Sequence, residues 1–449
     1  MKRMYWLIGT LLVLALLLPA CAPTAAPPPA AQGQPTAAPA TAAPSQPTAA
    51  PAAGKVTVTY WFPVDLGGGL AKVMDSMVAK FNGAHPNIEV KAVYTGNYDA
   101  TLQKIQAGQL AGNLPDVAVV VNEHTQTLAP LGILEPLDSF VQADGGKKFT
   151  DQYFPALLLN SYLNGKMYSL PFQRSVPVLY YNKDLFDQAG ISKPPETWDE
   201  MEQDAIKLTE KQGGQVSRWG IEVPLEAYNW IYYAFVYEAG GKIISDDLKT
   251  LYLDQPPAIE AMNYWNKLVN TDHVTAAYTP WAQASQDFAA QKTAMVIYSS
   301  GSQAFFRDSA KFKWSLVKIP QDKQYGVAPG GGNILMFKKD AATEKAAWEF
   351  MKWMTSPEET AFWSMNSGYI AVQPAAWDLP VMKDYAKKYP EVLVTVDQLK
   401  NAYYEPGAPN YTKVRDLLHD TTQDILSGKI SVKDGLTKVT QEGNKLLSQ

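Results

Sequence analysis

The stretch "PDVAVVV", residues 115–121, decides the fold class of this chain. Its five consecutive apolar residues follow a proline and an aspartate without polar alternation, which is typical of a strand buried on both faces of a parallel sheet. Two upstream stretches alternate between apolar and polar residues, "KVTVTYWF" at 55–62 and "NIEVKAVY" at 87–94, and each predicts a strand. Helical segments separate the three strands. This order predicts an open α/β sheet, which binds ligands at the carboxyl ends of its strands.

The segments between these strands have the period of amphipathic helices. In the first, apolar residues recur at helical spacing and end before Gly83 and Pro86: Leu70, Val73, Met74, Met77, Val78 and Phe81. The second is "YDATLQKIQAGQ" at 98–109. Both segments predict helices that cover the sheet.

The same alternation resumes later in the chain. "VPVLYYN" at 176–182, "KTAMVIYSS" at 292–300 and "NILMF" at 333–337 predict strands, and "PPETWDEMEQDAIKLTE" at 194–210 predicts a helix. Ser356, Pro357 and Glu359 form a capping box that begins another helix, and further helices are predicted over 361–365, 411–426 and 432–447. The body from residue 55 onward has about 395 residues, too many for one core, so two lobes are expected.

The N-terminus predicts export from the cytoplasm. Lys2 and Arg3 precede an apolar run at 5–18, which suits a signal peptide and is shorter than the roughly 20 residues of a membrane span. The stretch "LPAC" at 18–21 resembles a bacterial lipobox, although Pro19 stands where a small residue is usual. We therefore expect a signal peptide at 1–20 and a lipid on Cys21, the only cysteine of the chain; ordinary secretion is the alternative.

Residues 21–54 are expected to form a tether. Between 22 and 54 the chain is almost entirely Ala, Pro, Thr, Gln and Ser, with no charge and no aromatic residue. Such a segment cannot bury enough apolar surface to fold. A lipid on Cys21 and a long tether would hold the folded body outside the cell membrane.

Composition and motifs exclude several classes of function. The net charge of −5 argues against nucleic acid as a partner. The four histidines are scattered, and no His/Cys cluster, G-x-S-x-G motif or phosphate loop is present, so no metal, cofactor or catalytic residue is predicted. Scattered carboxylates still allow a surface-anchored glycoside hydrolase or lyase. A structural or adhesive surface protein is the third class.

Several stretches together resemble the extracellular solute-binding proteins of ABC importers, the large sugar-binding family. The most specific is "LPF", followed after five residues by "VLYYNKDLF", at 170–186. Others include "GNLPDVAVV" at 112–120, "YSSGSQAF" at 298–305 and "TSPEETAFWSMNSGYIAVQPAAW" at 355–377. The resemblance implies a two-lobed, type II periplasmic-binding-protein-like fold, with hinge strands crossing between the lobes and a ligand in the cleft.

The resemblance also implies the lobe bounds and the partners. Lobe 1 is expected over 55–174 and 325–367, and lobe 2 over 175–324 and 368–449. A member of this family is a non-catalytic monomer that passes a small solute to the permease subunits of the importer. It is extracytoplasmic, and here it is expected to be anchored to the cell membrane through Cys21.

Within the family, the chain looks most similar to glycerol-3-phosphate-binding proteins. This likeness assigns ligand binding to seven residues: Tyr98, Glu123, Ser175, Trp230, Ser300, Gly332 and Tyr369. The alternatives are a core helix for Trp230, a solvated loop for Glu123 and a plain turn for Gly332. One departure stands out, since Gly407 occupies the position of an arginine in those proteins. Arg174 is a candidate substitute, but a neutral sugar or polyol is the first expectation, with a glycerophosphate-type solute close behind.

Overall fold

Two five-stranded sheets and one short hairpin account for the strands in the described part of the chain. The computed structural model describes residues 54–64, 69–225, 229–404 and 406–449. The predicted signal peptide, Cys21 and the tether up to residue 53 lie outside these residues. The strands are β1 Val56–Phe62, β2 Ile88–Tyr94, β3 Val117–Val121, β4 Tyr162–Leu163, β5 Lys166–Met167, β6 Ser169–Ser175, β7 Pro177–Asn182, β8 Glu210–Gln212, β9 Gln215–Glu222, β10 Thr293–Ser299, β11 Trp314–Lys318 and β12 Gly330–Met336.

Helices cover both sheets and make up most of the C-terminal region. They are α1 Leu70–Ala84, α2 Tyr98–Ala111, α3 Asn122–Leu128, α4 Asp138–Ala143, α5 Lys147–Thr150, α6 Pro155–Leu158, α7 Lys183–Gln188, α8 Trp198–Leu208, α9 Trp230–Glu238, α10 Pro256–Asn270, α11 Trp281–Ala289, α12 Gln303–Ser309, α13 Ala341–Met354, α14 Pro357–Ser367, α15 Pro374–Asp378, α16 Pro380–Lys388, α17 Val392–Asp397, α18 Tyr411–Leu426 and α19 Val432–Leu447. Within the described ranges, no helix has both the length and the apolar character needed to cross a membrane.

The first sheet has the strand order β2-β1-β3-β12-β6. Strand β1 is parallel to β2 and to β3, whereas β12 is antiparallel to β3 and to β6. All five residues of β3 are buried, as the apolar run at 117–121 predicts. The predicted α/β sheet is confirmed, and the later strand β12 makes it a mixed sheet.

The second sheet has the order β11-β7-β10-β9-β8 and receives the chain directly from the first. Strand β6 of the first sheet ends at Ser175 and β7 of the second begins at Pro177, so that only Val176 lies between them. The chain returns to the first sheet between β11 and β12. These crossings confirm the two-sheet fold with hinge strands, while the residue bounds of the two lobes stay a prediction.

Local signals set the ends of the helices. The Ser356 hydroxyl accepts a hydrogen bond from the Glu359 amide (3.5 Å), as the capping box predicts. At the start of α2, the Asn97 side chain accepts from the Ala100 amide (2.9 Å). Helix α1 passes through Gly83 and ends one residue later, because a single glycine facing open space weakens a helix without breaking it.

Candidate functional site

The candidate site begins where β3 ends and α3 starts. Three polar side chains at this point are buried, since Asn122, Glu123 and His124 are at most 6% exposed. They lie at the carboxyl end of β3, where an open α/β sheet is expected to bind its ligand. The alternative for Glu123, a solvated loop carboxylate, is wrong, since the residue lies in the first turn of α3.

An arginine from the C-terminal region completes this cluster. Arg415 of α18 is 5% exposed and donates through Nη1 to Glu123 Oε1 and to Asp99 Oδ1, 3.1 Å away. Its Nε also donates to Asp416 Oδ1 at 3.0 Å. On the other side, His124 Nε2 lies 3.2 Å from Asp99 Oδ1 and 3.6 Å from Glu123 Oε1. The cluster therefore joins α2, α3 and α18 through charge.

Burial and charge act against each other on the two central carboxylates. Burial by itself raises the pKa of Asp99, but the hydrogen bond from His124 and the charge of Arg415 outweigh it and lower the pKa to about 2. For Glu123, burial is the larger effect and raises the pKa, although Arg415 and His124 act in the opposite direction. Asp99 is therefore ionised at neutral pH.

These residues also have the composition of a metal site. Ligand atoms of Asp99, Glu123 and His124 all lie within 4.8 Å of one another. However, the guanidinium of Arg415 already donates to one oxygen of each of the two carboxylates. The arrangement fits an ion-pair network better than a metal centre.

The glycine triplet at the start of β12 brings most of the predicted site residues together. Gly330 pairs with Ser175, and Gly332 pairs with Val121, two residues before Glu123. Gly332 lies within the strand, so its alternative as a turn before the strand is wrong. A β-carbon at Gly332 would lie 2.8 Å from Cε1 of Tyr98.

Tyr98 and Trp230 flank this triplet. The Tyr98 hydroxyl donates to Gln173 Oε1 (3.1 Å), whose backbone pairs with Gly332. Trp230 begins the fully buried helix α9, and its Nε1 donates to the Ala328 carbonyl (2.6 Å). A β-carbon at Gly330 would lie 2.7 Å from the Trp230 ring. Trp230 thus begins a core helix and packs against the triplet, and its role in ligand binding stays a prediction.

Ser175, Ser300 and Tyr369 lie together at the crossing between the sheets. The Ser300 hydroxyl accepts from the amide of Val176 (3.1 Å). Tyr369 is 3% exposed and stacks on Trp363 with 5.7 Å between ring centroids. The next residue, Ile370, donates its amide to the Arg174 carbonyl (2.8 Å).

The two positions considered for phosphate recognition have other surroundings. Arg174 is 1% exposed, and its guanidinium donates to the backbone carbonyls of Pro329 and Gly331. A β-carbon at Gly407 would lie 2.8 Å from Nδ2 of Asn122. The space that an arginine would need at 407 is therefore already lined by α3.

Sequence reasoning missed the charged partners of Glu123. Asp99 directly follows the predicted residue Tyr98, and His124 directly follows Glu123, so their positions in the sequence could have identified them. No such pattern identified Arg415 or Tyr404. The Tyr404 hydroxyl accepts from Asn122 Nδ2 (3.3 Å) and Gln126 Nε2 (3.1 Å), contacts that only the folded chain brings about.

A two-sheet fold with crossing strands and buried polar groups at the crossing is the arrangement expected of a solute-binding protein. The family model of the bacterial extracellular solute-binding proteins matches residues 76–391. The chain belongs to this family.

Comparison with individual proteins agrees with this assignment. The sn-glycerol-3-phosphate-binding periplasmic protein UgpB of Pectobacterium atrosepticum is 28% identical over 412 residues, covering 87% of this chain and 91% of that protein. UgpB of Salmonella typhimurium is also 28% identical, over 414 residues, with coverages of 87% and 92%.

Three solved structures share the fold. UgpB of Mycobacterium tuberculosis with glycerophosphocholine has a TM-score of 0.77 and 22% identity, covering 88% of this chain and 99% of that one. A substrate-binding protein of Listeria monocytogenes with cycloalternan has a TM-score of 0.76 and 22% identity, covering 88% of this chain and 99% of that one. The maltose/maltodextrin-binding domain of Bdellovibrio bacteriovorus with maltotriose has a TM-score of 0.75 and 20% identity, covering 88% of this chain and 100% of that one.

Proposed function

We propose that this protein is the substrate-binding subunit of an ABC importer and captures a neutral, hydroxyl-rich solute, a sugar or a polyol, for a membrane permease. It acts without catalysis and as a monomer. The observation that carries the choice of solute is that both buried arginines beside the site already have partners within the protein. Arg415 is held by Glu123 and Asp99, and Arg174 is held by backbone carbonyls.

A buried phosphate needs a cationic partner that can turn toward it. Arginine recognises phosphate through paired hydrogen bonds, and a charged hydrogen bond of this kind contributes about 1.5–3 kcal/mol. Gly407 has no side chain that could supply this cationic partner. A phosphate bound by Arg415 would have to replace the two carboxylates that now accept hydrogen bonds from its Nη1. A neutral solute requires no such exchange.

The proposed contacts come from the predicted residues around the glycine triplet. Glu123 and the hydroxyls of Ser175 and Ser300 are suited to hydrogen-bond a polyol, and Trp230 and Tyr369 to stack on a pyranose ring. Tyr98 and Gly332 complete the set. These roles are supported by the common location of the residues along β12 and at the crossing between the sheets.

A glycerophosphate-type solute is the second candidate. The names of the relatives favour a glycerophosphate-type solute, because they include glycerol-3-phosphate-binding proteins and a complex with glycerophosphocholine. Cycloalternan and maltotriose, bound by two other neighbours, are saccharides. Both chemistries therefore occur among proteins with this fold.

A thermal-shift screen across sugars, polyols, glycerol-3-phosphate and glycerophosphocholine tests the proposal. A solute at 100 times its Kd stabilises the folded protein by about 2.7 kcal/mol, which is a clear shift. The affinity for a neutral solute should change little between low and high salt, because no net charge is neutralised. Binding of only phosphate-bearing solutes, with affinity that falls as salt rises, would reverse the choice. Release of products from oligosaccharides, abolished by substitution of a carboxylate, would support the hydrolase alternative.

We also propose that the mature protein is a lipoprotein held on the outer side of the cell membrane by Cys21, after removal of residues 1–20. The signal-peptide pattern, the lone cysteine and the Ala/Pro-rich segment after it support this location. In the native host, Cys21→Ala should release a soluble form or leave an unprocessed precursor, seen by detergent partitioning and mass spectrometry. Unchanged membrane retention with normal processing would contradict the lipid anchor.

A further inference from the structure

Asn229 begins helix α9 in an uncommon way. Its backbone has φ 55° and ψ 23°, in the left-handed region, where asparagine is among the few residues besides glycine that are tolerated. An asparagine just before a helix usually accepts a hydrogen bond from one of the first helical amides, but the Asn229 side chain makes no such bond. The residue is 1% exposed. Its side-chain amide is therefore buried at the start of α9 without capping the helix.

The amide of Asn229 is turned toward α18 instead. Nδ2 donates to the Arg415 carbonyl (3.0 Å) in a buried contact. The reverse orientation of the amide would place two acceptor oxygens against each other, so this bond fixes which end is Nδ2 and which is Oδ1. A second buried hydrogen bond, from the hydroxyl of Tyr411 to that of Tyr233 (2.9 Å), also joins α18 to α9. The side chain is thus held in one orientation between the two helices.

The other end of the amide has no such partner. Asn229 Oδ1 is buried, and no group among the described residues donates a hydrogen bond to it. Burying an acceptor without a donor is destabilising, so an atom of this kind in a folded protein needs an explanation. The backbone does not provide one, because glycine would adopt the same conformation without burying an oxygen. A donor that arrives with a bound molecule would provide it.

Asn229 lies among the residues of the candidate site. It directly precedes Trp230, whose ring packs against Gly330 of the glycine triplet. Its Nδ2 donates to the backbone of Arg415, and the guanidinium of that arginine donates to Glu123. The Asn229 amide therefore joins the segment of one predicted contact, Trp230, to the cation that holds another, Glu123. The proposed contacts of the solute do not include Asn229.

We propose that Asn229 is a specificity-determining residue, whose Oδ1 accepts a hydrogen bond from one hydroxyl of the solute beside the Trp230 ring. With Nδ2 committed to Arg415, the side chain can offer the solute only an acceptor. A hydroxyl at this position can donate to it, whereas an ionised phosphate oxygen has no proton and would be repelled. The inference rests on the proposed function, because it requires a hydroxyl-bearing solute in the candidate site. Its own content is the recognition of one hydroxyl by one amide oxygen.

Calorimetry with analogues of the solute tests this recognition. The probes are D-glucose, D-galactose, maltose, xylitol and glycerol-3-phosphate, followed by the monodeoxy and deoxyfluoro analogues of the neutral probe that binds most tightly. With the wild-type protein, removal of one particular hydroxyl should weaken binding about tenfold or more, because Asn229 Oδ1 is left unpaired. Fluorine in place of that hydroxyl should weaken binding as much, because fluorine cannot donate.

Asn229→Gly keeps the left-handed backbone and removes the amide. This variant should bind the parent solute about tenfold more weakly than the wild type, and should bind the sensitive deoxy analogue within about twofold of the parent. Asn164→Gly is the matched control, because Asn164 has a φ of 51° and is exposed at the turn between β4 and β5. The control should leave the affinity for every analogue unchanged. Urea unfolding checks that both variants fold.

Selective ¹⁵N labelling of asparagine gives a readout in the wild-type protein. The side-chain amide signals of Asn229, assigned by their absence from Asn229→Gly or Asn229→Asp, should shift when the neutral solute binds and shift less with the sensitive deoxy analogue. The signals of Asn164 should not shift.

Two results would overturn the inference and leave the proposed function intact. One is an equal loss of affinity for every analogue in the wild type and in Asn229→Gly, and the other is a set of Asn229 signals that do not respond to a bound neutral solute. If glycerol-3-phosphate binds and no neutral probe does, the choice of a neutral solute fails as well. If no probe binds, the proposed function fails.

Discussion

At the scale of single residues, Glu123 illustrates how a buried charge is tolerated. The carboxylate is 6% exposed, and Arg415, itself 5% exposed, donates to it directly. Burying two charges costs several kcal/mol for each, which a single close contact offsets only in part. Asp99 adds a second acceptor for the same guanidinium. The pair is therefore costly to break and is a weak source of net stability.

A double-mutant cycle measures this coupling. Arg415→Ala alone should destabilise the protein by about 3–5 kcal/mol, because it leaves Glu123 as a buried charge without its cation. Adding Glu123→Ala should recover part of that loss, with a coupling of about 1–3 kcal/mol measured by urea unfolding. Lys147→Ala with Asp151→Ala, an exposed pair, is the control and should couple by less than about 1 kcal/mol. Additive effects at 415 and 123 would contradict a buried ion pair.

Glu222 is a second buried carboxyl group and lies far from the ion-pair network in sequence. It ends β9 and is 2% exposed. Burial and the charge of Asp287 raise its pKa from 4.5 to about 8, and Lys292 offsets this in part. A raised carboxyl pKa means that the folded state disfavours the ionised form. Stability is therefore lost as the pH rises from 4.5 to about 8 and is constant beyond that window.

Glu222→Gln should remove this pH dependence. The variant should become more stable relative to the wild type by about 1.4 kcal/mol for each pH unit between 4.5 and 8, and by a constant amount above pH 8. Urea unfolding at pH 5, 6.5, 8 and 9 measures the difference. The exposed Glu442→Gln is the control and should show no such trend. A difference that is the same at every pH would show that Glu222 is ionised throughout.

At the scale of secondary-structure elements, the glycine triplet of β12 is explained by close packing. A β-carbon at Gly332 would lie 2.5 Å from Cγ1 of Val119 and 2.8 Å from Cε1 of Tyr98. A β-carbon at Gly330 would meet the Trp230 ring. Both glycines let larger side chains from α2 and α9 lie directly on the strand. The family resemblance implies ligand binding at Gly332, which stays a prediction, and the structure adds a packing reason for a glycine at this position.

Gly332→Ala should therefore destabilise the protein by about 1–3 kcal/mol through overpacking, and should displace Tyr98. Gly83→Ala is a matched control, because Gly83 lies in α1 and a β-carbon added there would have no atom within 4 Å. There the added methyl group favours the helix by up to about 1 kcal/mol. Thermal unfolding of the two variants should give shifts of opposite sign. A neutral Gly332→Ala would mean that Tyr98 and Val119 move aside freely.

The helices and strands could be predicted from the sequence more fully than the contacts within the candidate site. The bounds of α18 and α19 were predicted as observed, and the capping box at Ser356 identified the start of α14, because helix period and caps are local patterns. The partner of Glu123 lies 292 residues away, and no local pattern reports such a contact. Predicted site residues came from family resemblance, which gave positions but not the hydrogen bonds between them.

At the scale of the whole molecule, Arg174 ties together three segments at the crossing between the sheets. It belongs to β6 just before the first crossing, and its guanidinium donates to the carbonyls of Pro329 and Gly331 in the segment that enters β12. Its own carbonyl accepts from the amide of Ile370, which follows α14. These positions are close to the predicted lobe bounds at 174, 325 and 367. Arg174 thus has the location of a hinge residue.

Arg174→Ala should consequently affect stability and closure more than direct contact with the solute. Loss of the guanidinium removes the donor to the buried Pro329 carbonyl, at about 1–3 kcal/mol, and the donor to the part-buried Gly331 carbonyl. Urea unfolding should report that loss. Small-angle scattering should show a smaller decrease in the radius of gyration on addition of the best solute from the thermal screen. Arg218→Ala, which removes a surface pair with Glu210, is the control.

By contrast, Trp230→Ala should weaken binding by about 1–3 kcal/mol, because it removes a stacking face. A greater loss of affinity at Arg174 than at Trp230, with stability unchanged, would place Arg174 in contact with an anionic solute and reverse the choice of a neutral one.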